Sequence, residues 1–347
     1  MKSSVTLDNR LNAPNSTSAH TDTETATVHP RFEVGGVRIA IEHDAPQQSE
    51  KLHRLWRELF VVSAADPAQH AALLRIHFSS ERGVNFGADA KLLCDASGLR
   101  VARLESGFVL DCRGARLHIN TTDGVGHGDL QESFFFLPSD QQRRFLLLAL
   151  VMLIRRHQRF ALHAGGIARA GQGCLIAGRS GSGKTTLGLS LIQQGWSYLS
   201  DDVVVLREGL EGIDALGINR GLGCTPQTAE RFQQLLHCRD RIGEKWIMQL
   251  NSNTSVPVTD CRPNLLLFPI IGNRSDSRLI PLGPCEAVNE LIQFSAGIMT
   301  SHEEAGRQLQ ILNRLVAQSR AFRMIAGRDV IACPERVDDL IQNSTEA

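Results

Sequence analysis

The chain has 347 residues, 42% hydrophobic and 21% charged, and its 37 Lys and Arg balance 37 Asp and Glu to a formal net charge of zero. Those proportions match soluble globular proteins, and the length admits one large domain or two. A zero balance excludes the bulk positive field that draws a protein to nucleic acid or to an anionic membrane, so neither is expected as a partner.

Residues 1–30 are dominated by Ser, Thr, Asn and Asp and contain no apolar core of a secretory signal, so a disordered leader on a cytoplasmic protein is expected. Eight scattered cysteines, with no C-x-x-C and no metal-ligand spacing, fit reduced thiols in that compartment. From 31 to 138 the pattern predicts a mainly β amino-terminal domain. Val37, Ile39 and Ile41 alternate with polar residues, as do Leu74, Ile76 and Phe78, and turn signals fall at Glu105-Ser106-Gly107 and Arg113-Gly114. One helix interrupts the strands, with Leu52, Leu55, Trp56, Leu59 and Phe60 at helical spacing.

A second domain is expected over 139–347. Phe145 to Ile154 is an apolar run between arginine pairs, half the roughly 20 residues a membrane-spanning helix needs, and reads as a buried helix. Ser139 and Gln142 stand at capping-box spacing at its start. Next, Cys174 to Ala177 form a short buried strand, followed by Gly178-Arg179-Ser180-Gly181-Ser182-Gly183-Lys184-Thr185, which fills every fixed position of the Walker A pattern. Thr186 opens a helical run to Gln194. Glycines let consecutive N–H groups turn toward one anion, and the helix N-terminus favours negative charge there. The residues 178–186 therefore predict an ATP cradle, with Lys184 on the β- and γ-phosphates and the Thr185 hydroxyl on Mg²⁺.

Beyond Gly195, the run Trp196 to Leu206 is broken by Ser200 and the paired acids Asp201 and Asp202. Carboxylates in a buried run are costly unless a cation or proton transfer employs them, so both are candidate metal ligands and catalytic acids. Farther on, Leu265 to Phe268 predicts a central strand, and Glu286 to Phe294 and Glu303 to Gln318 predict helices. Lys245, after the turn Gly243-Glu244, reads as a solvated lysine that could reach a phosphate.

The sequence Ser-Gly-Ser-Gly-Lys-Thr-Thr-Leu, its helix, and Leu199-Ser200-Asp201-Asp202 together resemble the HPr kinase/phosphorylase group and its relatives, the ATP-dependent phosphoenolpyruvate carboxykinases. Leu162-His163-Ala164-Gly165 lies where kinases of that group carry an active-site His-Gly motif, which gives His163 a catalytic role by resemblance. Ile218-Asn219-Arg220-Gly221-Leu222-Gly223 is similar to a signature of the true HPr kinases, with Ile218 in place of its glutamate and Asn219 in place of an apolar residue. Arg220 is the substrate-side candidate on that basis. The resemblance implies an α/β P-loop kinase core, ATP and Mg²⁺, and an acid pair shared between metal binding and acid–base work on an acceptor hydroxyl.

Two function classes follow. One is a kinase of a protein or peptide seryl hydroxyl, or of a small-molecule alcohol; the other is a nucleotide-switched ATPase without an acceptor. A guanine-reading Asn-Lys-x-Asp is absent from the chain. Carboxykinase activity ranks low because the chain is short for one, and self-association is left open.

Overall fold

The computed structural model describes residues 27–28, 32–44, 50–52, 54–56, 61–62, 72–79, 90–96, 98–218, 221–242, 245–251, 257–295 and 302–346. Of the leader expected at 1–30, only Thr27–Val28 falls within them.

The amino-terminal strands are β1 (Thr27–Val28), β2 (Phe32–Val34), β3 (Val37–His43), β4 (Val61–Val62), β5 (Ala72–Phe78), β6 (Lys91–Ala96), β7 (Leu99–Leu104), β8 (Gly107–Cys112), β9 (Ala115–Asn120) and β10 (Val125–Leu130). They form one sheet in the order β4-β2-β3-β5-β10-β9-β8-β7-β6, with β1 added to β3. Only β3, β5 and β10 run parallel to one another among these pairs. The alternation read from the sequence is the burial pattern: Val37, Ile39, Ile41, Leu74 and Ile76 all point into the core. Helical residues 50–52 and 54–56 (α1) add Leu52, Leu55 and Trp56 to that core, with Trp56 against Phe32 at 5.7 Å between ring centroids. Leu59 and Phe60 lie outside the described residues.

Helix α2 (Ser139–Ile154) places Phe145, Leu146, Ala149, Leu150, Leu153 and Ile154 in the same core. Its helical signal was clear in the sequence, whereas its partner, the preceding sheet, was not. The expected capping box is absent. Pro138 occupies the cap position without a side-chain bond, and the Gln142 amide donates instead to the carbonyls of Phe135 and Leu137 at 3.2 and 2.7 Å. Proline supplies a preset φ at this turn, so Gln142 is freed to tie down the preceding chain.

The second half contains β11 (Phe160–Leu162), β12 (Ala164–Arg169), β13 (Gln172–Ala177), α3 (Lys184–Gln193), β14 (Ser197–Ser200), β15 (Val204–Glu208), β16 (Ile213–Gly217), β17 (Leu222–Cys224), α4 (Pro226–Arg231), β18 (Leu236–Ile242), β19 (Lys245–Leu250), β20 (Asp260–Cys261), β21 (Pro263–Ile271), β22 (Arg278–Pro281), α5 (Pro284–Gln293), α6 (His302–Ala317), β23 (Arg320–Ala326), α7 (Asp329–Ala332) and α8 (Pro334–Glu346). A six-stranded mixed sheet runs β14-β12-β13-β21-β23-β22, with β13, β21 and β23 parallel. Beside it lie an antiparallel sheet β11-β15-β16-β20 and a small sheet β17-β19-β18.

Both faces of the six-stranded sheet are covered, which is why β13 and β21 read as continuous apolar runs. Cys174, Ile176, Leu265 and Leu267 pack toward α3 and α8, while Leu175, Ala177, Leu266 and Phe268 pack toward α5, α6 and the antiparallel sheet. The result is an α/β fold with mixed sheets and a mainly β amino-terminal region.

The two halves share a strand. Within β15, Val204 and Leu206 belong to the second half's core, and Val205 between them belongs to the first. The approach is close: a Cβ on Gly35 would lie 2.7 Å from Val205 Cγ1. Among the described residues no helix is long and apolar enough to cross a membrane.

Candidate active site

Antiparallel pairing of β12 with both β13 and β14 builds the site. Ala164 at the start of β12 stands opposite Ala177 at the end of β13, and Gly166 stands opposite Ser200 at the end of β14. The residue before β12, the loop after β13 and the bend after β14 therefore emerge at one end of the sheet. These are His163, residues 178–183, and Asp201-Asp202.

The loop from β13 to α3 depends on its glycines in two ways. Gly181 and Gly183 have φ of +81° and +94°, in the left-handed region. Gly178 is needed for space, since a Cβ there would lie 2.5 Å from Ser182 Oγ. Arg179 and Ser180 are exposed at the tip, and the Ser182 N–H donates to the Arg179 carbonyl at 3.1 Å. Ser182 Oγ is buried with no hydrogen-bond partner among the described residues. Helix α3 starts at Lys184, so its first turn carries Lys184, Thr185 and Thr186.

Lys184 folds back over the loop. Its Nζ donates to the carbonyls of Gly178 at 2.6 Å and Arg179 at 3.2 Å, and lies 3.4 Å from His163 Nε2. Thr185 Oγ1 donates to Asp201 Oδ1 at 2.8 Å. The other Asp201 oxygen accepts the Gly223 N–H at 3.0 Å. Burial, as the main cause, pushes the Asp201 carboxyl up to about 6, opposed by the Thr185 hydrogen bond and reinforced by the neighbouring Asp202 charge.

Asp202 differs from its neighbour. Its side chain is 56% exposed, and its Oδ1 lies 3.1 Å from His163 Nδ1. The His163 backbone N–H donates to the Phe294 carbonyl at 2.7 Å, which fixes the ring's point of attachment. A proton on Nδ1 satisfies Asp202 and leaves the Nε2 lone pair to face the Lys184 ammonium. Asp202, His163 and Lys184 thus form one polar chain.

A cavity of about 450 Å³ adjoins the loop, lined by residues 177–182 and 268–271 and by Glu290, Gln293, Phe294 and Arg323. Among these lining residues, Arg323 Nη2 donates to Glu290 Oε1 at 2.8 Å.

Hard oxygen donors suit Mg²⁺, and Thr185 Oγ1 with Asp201 Oδ1, 2.8 Å apart, supplies two of them at one place. Among the described residues no group of three or more His, Cys, Asp or Glu could hold a metal by itself. Phosphate oxygens would have to complete the shell, so the donor set fits a metal that arrives with a nucleotide.

The structure therefore brings together Lys184, Thr185, Asp201, Asp202 and His163. Arg220 and Asn219 lie outside the described residues, and so do Gly243 and Glu244 beside Lys245. Sequence reasoning missed the Gly223 N–H, because a backbone donor leaves no residue signal. It also missed the cavity wall, whose residues read only as a buried strand and as the polar side of an amphipathic helix.

No family model matches the chain, and no curated protein matches it. Among solved structures it is similar to the Hpr(Ser) kinase/phosphatase from Coxiella burnetii, at 14% identity over 53% of this chain and 90% of that one, with a TM-score of 0.29. A likeness of that size leaves function to be argued from the residues themselves.

Proposed function

We propose that the chain is an ATP-dependent, HPr-kinase-like phosphotransferase built on a P-loop core, moving the γ-phosphoryl group of ATP to a hydroxyl of a protein or peptide. The supporting observation is the convergence of three distant stretches at one sheet end, with Thr185 bonded to Asp201 and His163 bridging Asp202 and Lys184.

The division of labour follows from burial. Asp201, enclosed and bonded to Thr185, is on the metal side of the site, where Mg²⁺ would supply charge neutralisation for the phosphates. Asp202 is exposed beside His163 and takes the acceptor's proton as its oxygen bonds to phosphorus and the bond to the β-phosphate oxygen breaks, releasing ADP. His163 holds the Asp202 carboxylate in place by donating from Nδ1. Lys184 exchanges its two loop carbonyls for phosphate oxygens when the nucleotide binds. Catalysis then rests on in-line positioning and charge stabilisation.

The test is incubation with γ-labelled ATP, Mg²⁺ and a cell extract, comparing wild type with Lys184→Ala and Asp202→Asn. Label reaching an extract component only with wild type supports transfer. Release of free phosphate alone, equal in wild type and Asp202→Asn, identifies a nucleotide-switched ATPase and removes the kinase reading.

A further inference from the structure

Transfer to a hydroxyl employs only one of the two ring nitrogens of His163. Its Nδ1 lies 3.1 Å from Asp202 Oδ1, and its Nε2 lies 3.4 Å from Lys184 Nζ. A carboxylate only accepts and an ammonium only donates, so both neighbours dictate one tautomer, with the proton on Nδ1 and the lone pair on Nε2. The ring's attachment is fixed as well. The His163 N–H is bonded to the Phe294 carbonyl, and Leu162 beside it bridges Ser295. The side chain is 37% exposed, so the imidazole is open to a ligand at the sheet end rather than sealed in the core. A lone pair on one nitrogen and an orienting carboxylate on the other is the arrangement of an activated nucleophile. Lys184 is the group expected to carry the β- and γ-phosphates, so a γ-phosphate taken up by its ammonium arrives beside Nε2.

We infer that, when no hydroxyl acceptor is present, the chain transfers the γ-phosphoryl group of ATP to its own His163 Nε2, an inference that rests on the proposed nucleotide reading. The Nε2 lone pair forms the bond to phosphorus as the bond from phosphorus to the β–γ bridging oxygen breaks, and ADP leaves with that electron pair. No proton has to move, because Nε2 carries none. The ring gains positive charge as it attacks, and the Asp202 carboxylate across Nδ1–H offsets it, as the aspartate of a serine-protease triad does for its histidine. Lys184 does not compete for the phosphoryl group, since an ammonium has no lone pair.

Incubation of the full chain with γ-labelled ATP and Mg²⁺, without extract, should leave label on the protein and a mass gain of a single phosphoryl group. A phosphorus–nitrogen bond is lost in mild acid and survives alkali, the reverse of phosphoserine, so washing under the two conditions identifies it. Fragmentation of the labelled wild type should place the group on His163 without recourse to a variant. His163→Asn retains an amide to donate to Asp202 and lacks Nε2, so its label should fall to the background of Lys184→Ala. The melting shift of His163→Asn with Mg²⁺·ATP reports that it folds and binds. Acid-stable label, label located on another residue, or label undiminished in His163→Asn would overturn the inference. Unlabelled wild type that still passes label to an extract component would also overturn it, and leaves the kinase reading standing. A wild type that shows no melting shift with Mg²⁺·ATP removes the nucleotide reading itself, and this inference with it.

Discussion

Asp201→Asn should stabilise the ligand-free protein while abolishing the proposed phosphoryl transfer. Burial holds the Asp201 carboxyl at about 6 against an ordinary value of 3.8. A group whose folded-state value is raised contributes most below its unfolded value, and that contribution is lost as pH rises through the folded one. Wild type should therefore lose stability between about pH 4 and pH 7. At about 1.36 kcal/mol per unit, a rise of roughly two units amounts to about 3 kcal/mol. Asparagine is nearly isosteric and avoids this cost: its carbonyl can accept from Gly223 N–H, and its amide can donate to Thr185 Oγ1. Thermal unfolding of both proteins from pH 4 to pH 8 should show no gap at the acid end and a gap of several degrees at pH 8. Added Mg²⁺·ATP should close that gap by stabilising wild type more than the variant. A gap independent of pH, or a variant less stable than wild type at pH 8, would refute the claim that the buried carboxylate is a strained group awaiting a cation.

Further predictions concern the loop lysine, the first sheet and the carboxy-terminal helix. Lys184→Ala should erase the melting shift given by saturating Mg²⁺·ATP, which for wild type at a hundredfold excess over Kd is worth about 2.7 kcal/mol; a preserved shift would remove the lysine from the cradle. His118 and His127 lie directly opposite on β9 and β10, with ring centroids 5.5 Å apart, and burial, then His127 and Arg116, lower the His118 value against the opposing pull of Asp129. A lowered value contributes stability above about pH 6.5 that is lost as pH falls, so His118→Gln should flatten the acid side of the melting profile, and an unchanged profile would count against it. Asp338 takes both Arg169 nitrogens at 2.8 and 2.9 Å and the Trp196 indole N–H at 2.9 Å. Asp338→Ala should therefore cost about 2 kcal/mol in urea unfolding, because it removes three charge-assisted hydrogen bonds while Arg169 keeps its bond to the Gln194 carbonyl.

Local signals served well where one residue type does one job. The glycine loop, the strand before it and the helix after it were readable because the positive φ of Gly181 and Gly183 and the close approach at Gly178 fix the residue type at set positions. The alternation in β3 and β5 was readable because one face meets the core. His163 was suggested only by resemblance, since no spacing rule links it to Lys184 or Asp202; they meet because β12 runs antiparallel between β13 and β14. The unequal surroundings of Asp201 and Asp202 were likewise hidden, because adjacent residues at a bend differ in burial only once the chain is packed. The capping box failed for a related reason. A serine and a glutamine at the right spacing describe an isolated helix end, whereas here the glutamine is drawn to carbonyls of the preceding chain.

Strand β15 follows directly on the acid pair and acts as a seam, with consecutive valines committed to different interiors. Neither interior can loosen there without exposing a neighbour's methyl groups to water, so the two halves should melt as one body rather than in sequence. Changes remote from the reacting atoms, at Gly35 for example, would consequently reach the bend carrying Asp202 through only three residues of chain.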